Sequence, residues 1–271
     1  MESIRTPADL EGQPIGPVEV EITADRVALY VDVTGDDPER WRAEAPPGFG
    51  SVLLFAVADE FLYHPKMIEY TAMLLHLDQA FTYHAPMRIG TTVAVEGTIT
   101  RVRERAGSFF VTFEATASDD HGPVVTSRST FVLSNQRAQP PAETRKEPPA
   151  RERGENDGSL RSASRHDLVR YGAATRDFNP FHWDHDFAVD SGLPGVVVHG
   201  LFMYAWMVQE AARVAGGRPI LEAKIRFRAA LHPAQQAVLA TTLEDERVAI
   251  VLALGDEQLV TGTATVALDG G

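Results

Sequence analysis

Apolar and polar positions alternate with a period of two over residues 92–101, 108–118 and 124–133, and again over 223–230, 237–244, 248–254 and 259–268. Each run predicts a strand buried on one face. Between the two groups the period lengthens. The segment LFMYAWMVQEAARV after Gly200 is rich in strong helix formers and free of proline, which predicts a long apolar helix over Gly200–Val214. It follows Val196, Val197 and Val198, so its start is apolar and buried. Thr23 leads TADRVALY and Ser164 leads SRHDLVRY, each a hydroxyl residue before apolar positions at helical spacing, the pattern of an N-capped helix. A long helix followed by consecutive hairpin strands predicts an α+β fold with an antiparallel sheet wrapped around the helix.

The same landmarks occur twice. An offset of 141 carries Val27 to Leu168, Tyr30 to Tyr171, Thr34 to Thr175 and Asp36 to Asp177. An offset of 147 carries Pro47, Gly48 and Phe55 to Pro194, Gly195 and Phe202, and one of 144 carries Tyr83, Met87 and Val95 to Phe227, Leu231 and Leu239. Small drifts in offset are what loop insertions produce, and the common order points to an internal duplication. Between the copies lies SNQRAQPPAETRKEPPARERGENDG, with four prolines, many charges and alanine as its apolar residue. It has too little apolar surface to offset the entropy of ordering. The expected division is a first unit over 1–134, a linker over 135–160 and a second unit over 161–271.

Composition narrows the function. Lys and Arg total 25 against 38 Asp and Glu, a formal charge of −13, which argues against a nucleic-acid-binding surface. Cysteine is absent, excluding a disulfide framework, a thiolate nucleophile and Cys-ligated zinc. The first nine residues mix charges with Pro7 and predict no secretory signal. The most apolar stretch, 193–208, is too short to span a bilayer, so a cytoplasmic protein without a membrane partner is expected.

The candidate chemistry sits in Thr175-Arg176-Asp177-Phe178-Asn179-Pro180-Phe181-His182. An acid, an amide and an imidazole fall within six residues, and Pro180 restricts the backbone between them. A carboxylate beside a histidine can orient the ring and hold water, although Asp, Asn and Pro are also ordinary turn residues. Further on, Pro194-Gly-Val-Val-Val-His199-Gly200-Leu-Phe202 puts a glycine at the start of an apolar helix, where free N–H groups can stabilise an oxyanion.

With both segments in view, the chain resembles the MaoC-type (R)-specific enoyl-CoA hydratases, or hydratase 2, of the hotdog superfamily. That family carries a Gly-Asp-x-Asn-Pro-x-His loop and a His-Gly step into the central helix; these match Asp177, Asn179, Pro180 and His182, and then His199 and Gly200. Arg176 departs from the family's glycine. The whole chain resembles a double hotdog whose first half is a degenerate copy: Pro38 stands at the place of Asn179 and no histidine follows, while Val52 and Leu53 stand opposite His199 and Gly200.

The resemblance implies one site per chain and reversible addition of water to a trans-2-enoyl thioester, giving a (3R)-3-hydroxyacyl thioester. It implies that Asp177 and His182 hold the water, that Gly200 N–H binds the thioester oxygen and that Asn179 supports the loop, with no cofactor and no metal. His182, Asp184, His185 and Asp186 could pass for metal ligands, but neighbouring residues point in alternate directions. His199 either lines the site or satisfies buried backbone, and His64 is a weaker candidate for substrate contact. Lys224, Arg226 and Arg228 alternate along a predicted strand and so share one face, a candidate docking surface for the phosphates of an acyl-CoA or acyl-carrier-protein thioester. A hotdog thioesterase and a non-catalytic acyl-binding subunit are the rival readings. Because the fusion supplies its own pseudo-dimer, a monomer and a homodimer are both compatible with the sequence.

Overall fold

The computed structural model describes residues 6–64, 67, 70, 73–135 and 158–268. The described strands are β1 (Pro14–Glu21), β2 (Met73–Tyr83), β3 (Thr92–Arg105), β4 (Ser108–Asp119), β5 (Gly122–Ser134), β6 (Ser159–Arg161), β7 (Ile220–Phe227), β8 (Ala237–Glu244), β9 (Arg247–Leu254) and β10 (Glu257–Val266). The helices are α1 (Ala24–Thr34), α2 (Gly50–Leu62), α3 (Arg165–Thr175), α4 (His185–Asp190) and α5 (Gly200–Val214). All ten strands join one antiparallel sheet in the order β1-β3-β4-β5-β2-β7-β10-β9-β8-β6. From either edge inward the order is the same in both halves, and the halves meet where β2 pairs with β7. This is a double hotdog.

The register at that seam shows the symmetry. Ala80 faces Lys224, its equivalent at an offset of 144, with Asp78 against Arg226 and Thr82 against Glu222 on either side. A residue paired with its own equivalent marks a local two-fold axis. Helices α1 and α3 are 141 residues apart from end to end. The offset of 147, however, does not hold at the long helices, which begin 150 residues apart at Gly50 and Gly200. Phe49 and Gly50 therefore stand opposite His199 and Gly200, in place of the expected Val52 and Leu53. Ring packing agrees: Tyr30 sits 5.6 Å from Phe49, as Tyr171 sits 4.9 Å from His199.

Helices α2 and α5 are apolar on nearly every side because each is wrapped by its half of the sheet. In α5, Phe202, Met203, Tyr204, Trp206 and Met207 are all buried. Each large side chain contributes about 1.5–3 kcal/mol by leaving water. Both helices open on a glycine because a central-strand ring lies against the backbone there. A Cβ would meet the Phe81 ring at 3.1 Å from Gly50 and the Phe227 ring at 2.9 Å from Gly200. Hydrogen bonds also join the halves. Tyr204 donates to the Tyr83 hydroxyl at 2.6 Å, and Tyr83 donates to the Pro47 carbonyl at 2.8 Å.

Most predicted strands recur within a few residues of their expected ends. Strands β1 and β2 have no clear signature in the pattern. In β1, Pro14, Gly16 and Pro17 break the alternation, which an edge strand tolerates. The interior β2 buries only Gln79 and Phe81, leaves most other positions on both faces half-buried and shifts register between His76 and Asp78, so it does not alternate simply. Of the expected linker, 136–157 lies outside the described residues. Its C-terminal end needs correction: Ser159 and Leu160 belong to β6, paired with Leu239 and Val238 of β8.

Candidate active site

The sequence motif begins where α3 stops. Ser164 caps that helix reciprocally with Asp167. At its other end Arg176 takes the left-handed conformation, φ 69°, and its N–H donates to the Gly172 carbonyl at 2.7 Å. Its first-half equivalent is Gly35, at φ 68°. The glycine missing before Asp177 thus leaves the loop shape unchanged, and arginine carries the steric cost of a conformation that suits glycine. The chain then turns tightly. Asp177 Oδ1 accepts from Asn179 N–H at 3.4 Å, and Asn179 Oδ1 accepts from Phe181 N–H at 3.2 Å, capping the 3-10 turn Pro180–His182.

This turn brings His182 toward Asp177. His182 Nε2 lies 4.0 Å from Asp177 Oδ2, too far for a direct hydrogen bond but suited to one bridging water. His182 Nδ1 is 2.8 Å from the Val197 carbonyl. A carbonyl only accepts, so Nδ1 carries the proton and Nε2 keeps its lone pair toward the carboxyl group. By the same argument His199 donates from Nε2 to the Asp177 carbonyl at 3.1 Å. Its ring stacks on His182 with centroids 3.7 Å apart and planes 25° from parallel. His199 is thus buried, bonded to the loop and stacked on the His182 ring.

Burial sets the electrostatics. Loss of water pushes the Asp177 carboxyl up to about 7, with the Asn179 N–H opposing. It pushes the His182 imidazole down to about 4 against the Val197 hydrogen bond, and drives His199 well below its ordinary value with help from His182. Asp177, His182 and His199 each place one ligand atom within 4.8 Å of the others. Near-parallel stacked imidazoles, however, keep their in-plane lone pairs in separate layers and do not aim them at one ion.

Asp177, Asn179, His182, Gly200 and Leu201 line a cavity of about 340 Å³. Gly200 and Leu201 are the first residues of α5, so their N–H groups have no carbonyl one turn back to bond. The other walls are largely apolar and come from both halves: Phe55, Leu62 and Phe131 on one side, Val198, Met203 and Phe227 on the other. Of the three expected phosphate-docking cations, only Arg228 lines the cavity; it lies just past the end of β7, its Nε donating to Thr261 Oγ1 at 3.1 Å. Lys224 pairs with Glu222 at 2.8 Å, and Arg226 grips Asp78 at 2.7 and 3.0 Å across the seam. The three do not form one free row. Near His64 it is Tyr63 that lines the cavity, and Asp59, one helical turn earlier, is raised to about 7 by burial and by Asp177. Sequence reasoning misses both, because a helix of one half reaching the loop of the other leaves no local pattern.

The first-half counterpart of the loop carries different residues. Trp41 occupies the place of His182, beside Asp36 and Tyr30, and only about 10 Å³ remains there, near the space of one water. Gln209 of α5 lines this remnant, and it lies 150 residues beyond Asp59. The end of each long helix thus serves the other half's loop.

Fold and family match together define a double-hotdog hydro-lyase. Residues 75–234 match the hydroxyacyl-thioester dehydratase type 2 family, and the chain belongs to it. Residues 10–128 also match the dehydratase domain region of FAS1-like proteins. A solved MaoC-like dehydratase superposes with a TM-score of 0.76 at 20% identity, over 96% of this chain and 99% of that one. HtdX from Mycobacterium tuberculosis superposes with a TM-score of 0.72 at 23% identity, over 92% of this chain and 100% of that one. The UPF0336 protein of Streptomyces avermitilis is 29% identical over 133 residues, 49% of this chain and 81% of its own length. The family sets the activity as dehydration or hydration of an acyl thioester. No helix among the described residues is long and apolar enough to cross a membrane.

Proposed function

We propose that the protein interconverts trans-2-enoyl and (3R)-3-hydroxyacyl thioesters, with Asp177 and His182 as the proton-handling pair. The observation that carries this reading is the 4.0 Å gap between His182 Nε2 and Asp177 Oδ2, on a cavity that the first N–H groups of α5 also line. In hydration, the Nε2 lone pair takes a proton from the bridging water as its oxygen bonds C3. The π electrons shift to the thioester oxygen, where Gly200 N–H stabilises the enolate. The protonated Asp177 carboxyl then delivers its proton to C2 as the carbonyl re-forms. The pair starts and ends with one proton, and dehydration retraces the steps. Asn179 holds the loop, and Arg228 meets the phosphate-bearing arm of the substrate.

The pair keeps a single proton between about pH 4 and 7, so kcat/KM follows a bell whose limbs belong to the pair as a unit. The test is loss of enoyl-thioester absorbance with crotonyl-CoA and a longer trans-2-enoyl-CoA, with thiol release followed in parallel and the product's configuration resolved. Loss of absorbance, no free thiol and a 3R product are expected. Thiol release would make it a thioesterase. Turnover surviving both Asp177→Asn and His182→Ala would remove these residues from the mechanism.

A further inference from the structure

The cavity that holds Asp177 and His182 is also lined by Tyr63 from the other half. Tyr63 follows the last turn of α2, and its N–H bonds to the Asp59 carbonyl at 3.0 Å, which puts the two side chains on one face of the helix end. The Tyr63 hydroxyl is buried and has no hydrogen-bond partner among the described residues; neither has Asp59 Oδ1. A buried polar atom left without a partner is costly, and on a residue that lines a cavity it marks where a ligand can supply the missing bond.

We infer that Tyr63 is a further catalytic residue, whose hydroxyl donates a hydrogen bond to the oxygen at C3 of the substrate. The inference rests on the dehydratase reading above. A 3-hydroxyacyl thioester brings two oxygens to the reacting centre. Gly200 N–H serves the thioester oxygen, which leaves the C3 oxygen to the region around Asp177. Tyr63 belongs to that region, because the Asp177 and Asp59 charges both add to the burial that raises its hydroxyl's pKa. The same effects keep the phenol protonated, so it acts as a fixed donor and not as an acid. During dehydration the C3–O bond breaks, the departing oxygen gains its proton from the Asp177–His182 pair, and the Tyr63 hydrogen bond steadies it as it becomes water.

The experiment compares the full chain with its Tyr63→Phe variant, which removes one oxygen and keeps the ring. The expected result is a kcat roughly 10²-fold lower, a KM within about threefold and a Tm unchanged or raised, because the hydroxyl bonds nothing among the described residues and its removal relieves an unmet buried polar group. A kcat within twofold of the parent overturns the inference, and so does a fall in Tm that accompanies the loss, which would assign a structural role. A second readout does not depend on turnover. In the Asp177→Asn background, the ratio of Kd values for 3-hydroxybutyryl-CoA and butyryl-CoA is expected to favour the hydroxylated ligand, and Tyr63→Phe is expected to abolish that preference. An unchanged ratio overturns the inference. If the parent chain converts no enoyl thioester in either direction, the functional reading fails, while this ratio still decides whether Tyr63 binds the C3 oxygen.

Discussion

Gly200→Ala separates packing from chemistry, because Gly50 supplies a matched control. The added methyl would lie 2.9 Å from the nearest Phe227 ring carbon and 3.0 Å from the next. At Gly50 the corresponding contacts with Phe81 are both 3.1 Å. Overpacking of this kind costs about 1–3 kcal/mol, and the lower unfolded-state entropy of alanine offsets about 0.4–1 kcal/mol of it. The net loss is about 1–2 kcal/mol at Gly200 and about 1 kcal/mol at Gly50. For a chain of this size those losses lower Tm by roughly 2–5 °C. Thermal unfolding followed by circular dichroism measures both. Turnover should split the pair. Gly200→Ala displaces the oxyanion donor relative to the Asp177–His182 gap and lowers kcat by roughly 10²-fold, whereas Gly50→Ala opens a helix beside no reacting group and leaves kcat within twofold. Equal kcat losses in the two variants would refute the assignment of Gly200 to the thioester oxygen. Unchanged Tm in both would refute the packing argument.

Other expected outcomes follow from the same geometry. Arg176→Gly relieves the left-handed strain that Gly35 avoids and should raise stability by about 1 kcal/mol, read by urea denaturation; a loss would mean that the Arg176 side chain contributes more than its backbone costs. The pH dependence of stability has opposing parts. Asp177 binds its proton more tightly folded than unfolded, so it makes stability fall as pH rises from about 4 to 7. His182 binds its proton less tightly when folded and makes stability rise from about 4 to 6.5. In Asp177→Asn the falling part disappears, so stability should climb more steeply with pH across that window than in the parent; an unaltered slope would mean that Asp177 titrates normally. Arg228→Ala should raise KM for a CoA thioester with little change in kcat, while Arg226→Ala, which breaks only the exposed pair with Asp78, should leave KM unchanged. Steady-state kinetics that rank the two the other way would move the docking site onto the β7 face.

Much of this protein is written locally. The caps at Thr23 and Ser164, the largely apolar α5 and the two-residue alternation of β3–β5 and β8–β10 depend on neighbours in sequence, so these elements and the duplication are legible in the amino-acid sequence alone, while β1 and β2 are not. The Asp177–His182 turn is legible for the same reason: Asn179 and Pro180 close it over six residues. Arg176 stands out as a departure, but only the backbone shows that it adopts the conformation of Gly35. The true phase of the long helices is not legible, because an insertion before α5 moves the equivalence by three residues without disturbing either apolar pattern. Charge spacing along β7 predicts a common face, but Asp78, nearly 150 residues away, claims Arg226 across the seam. Tyr63 reaches the cavity only because a two-fold pairing of β2 with β7 sets the end of α2 against the loop of the other half. Periodicity records which face of an element is buried; only the folded chain decides what that face is buried against.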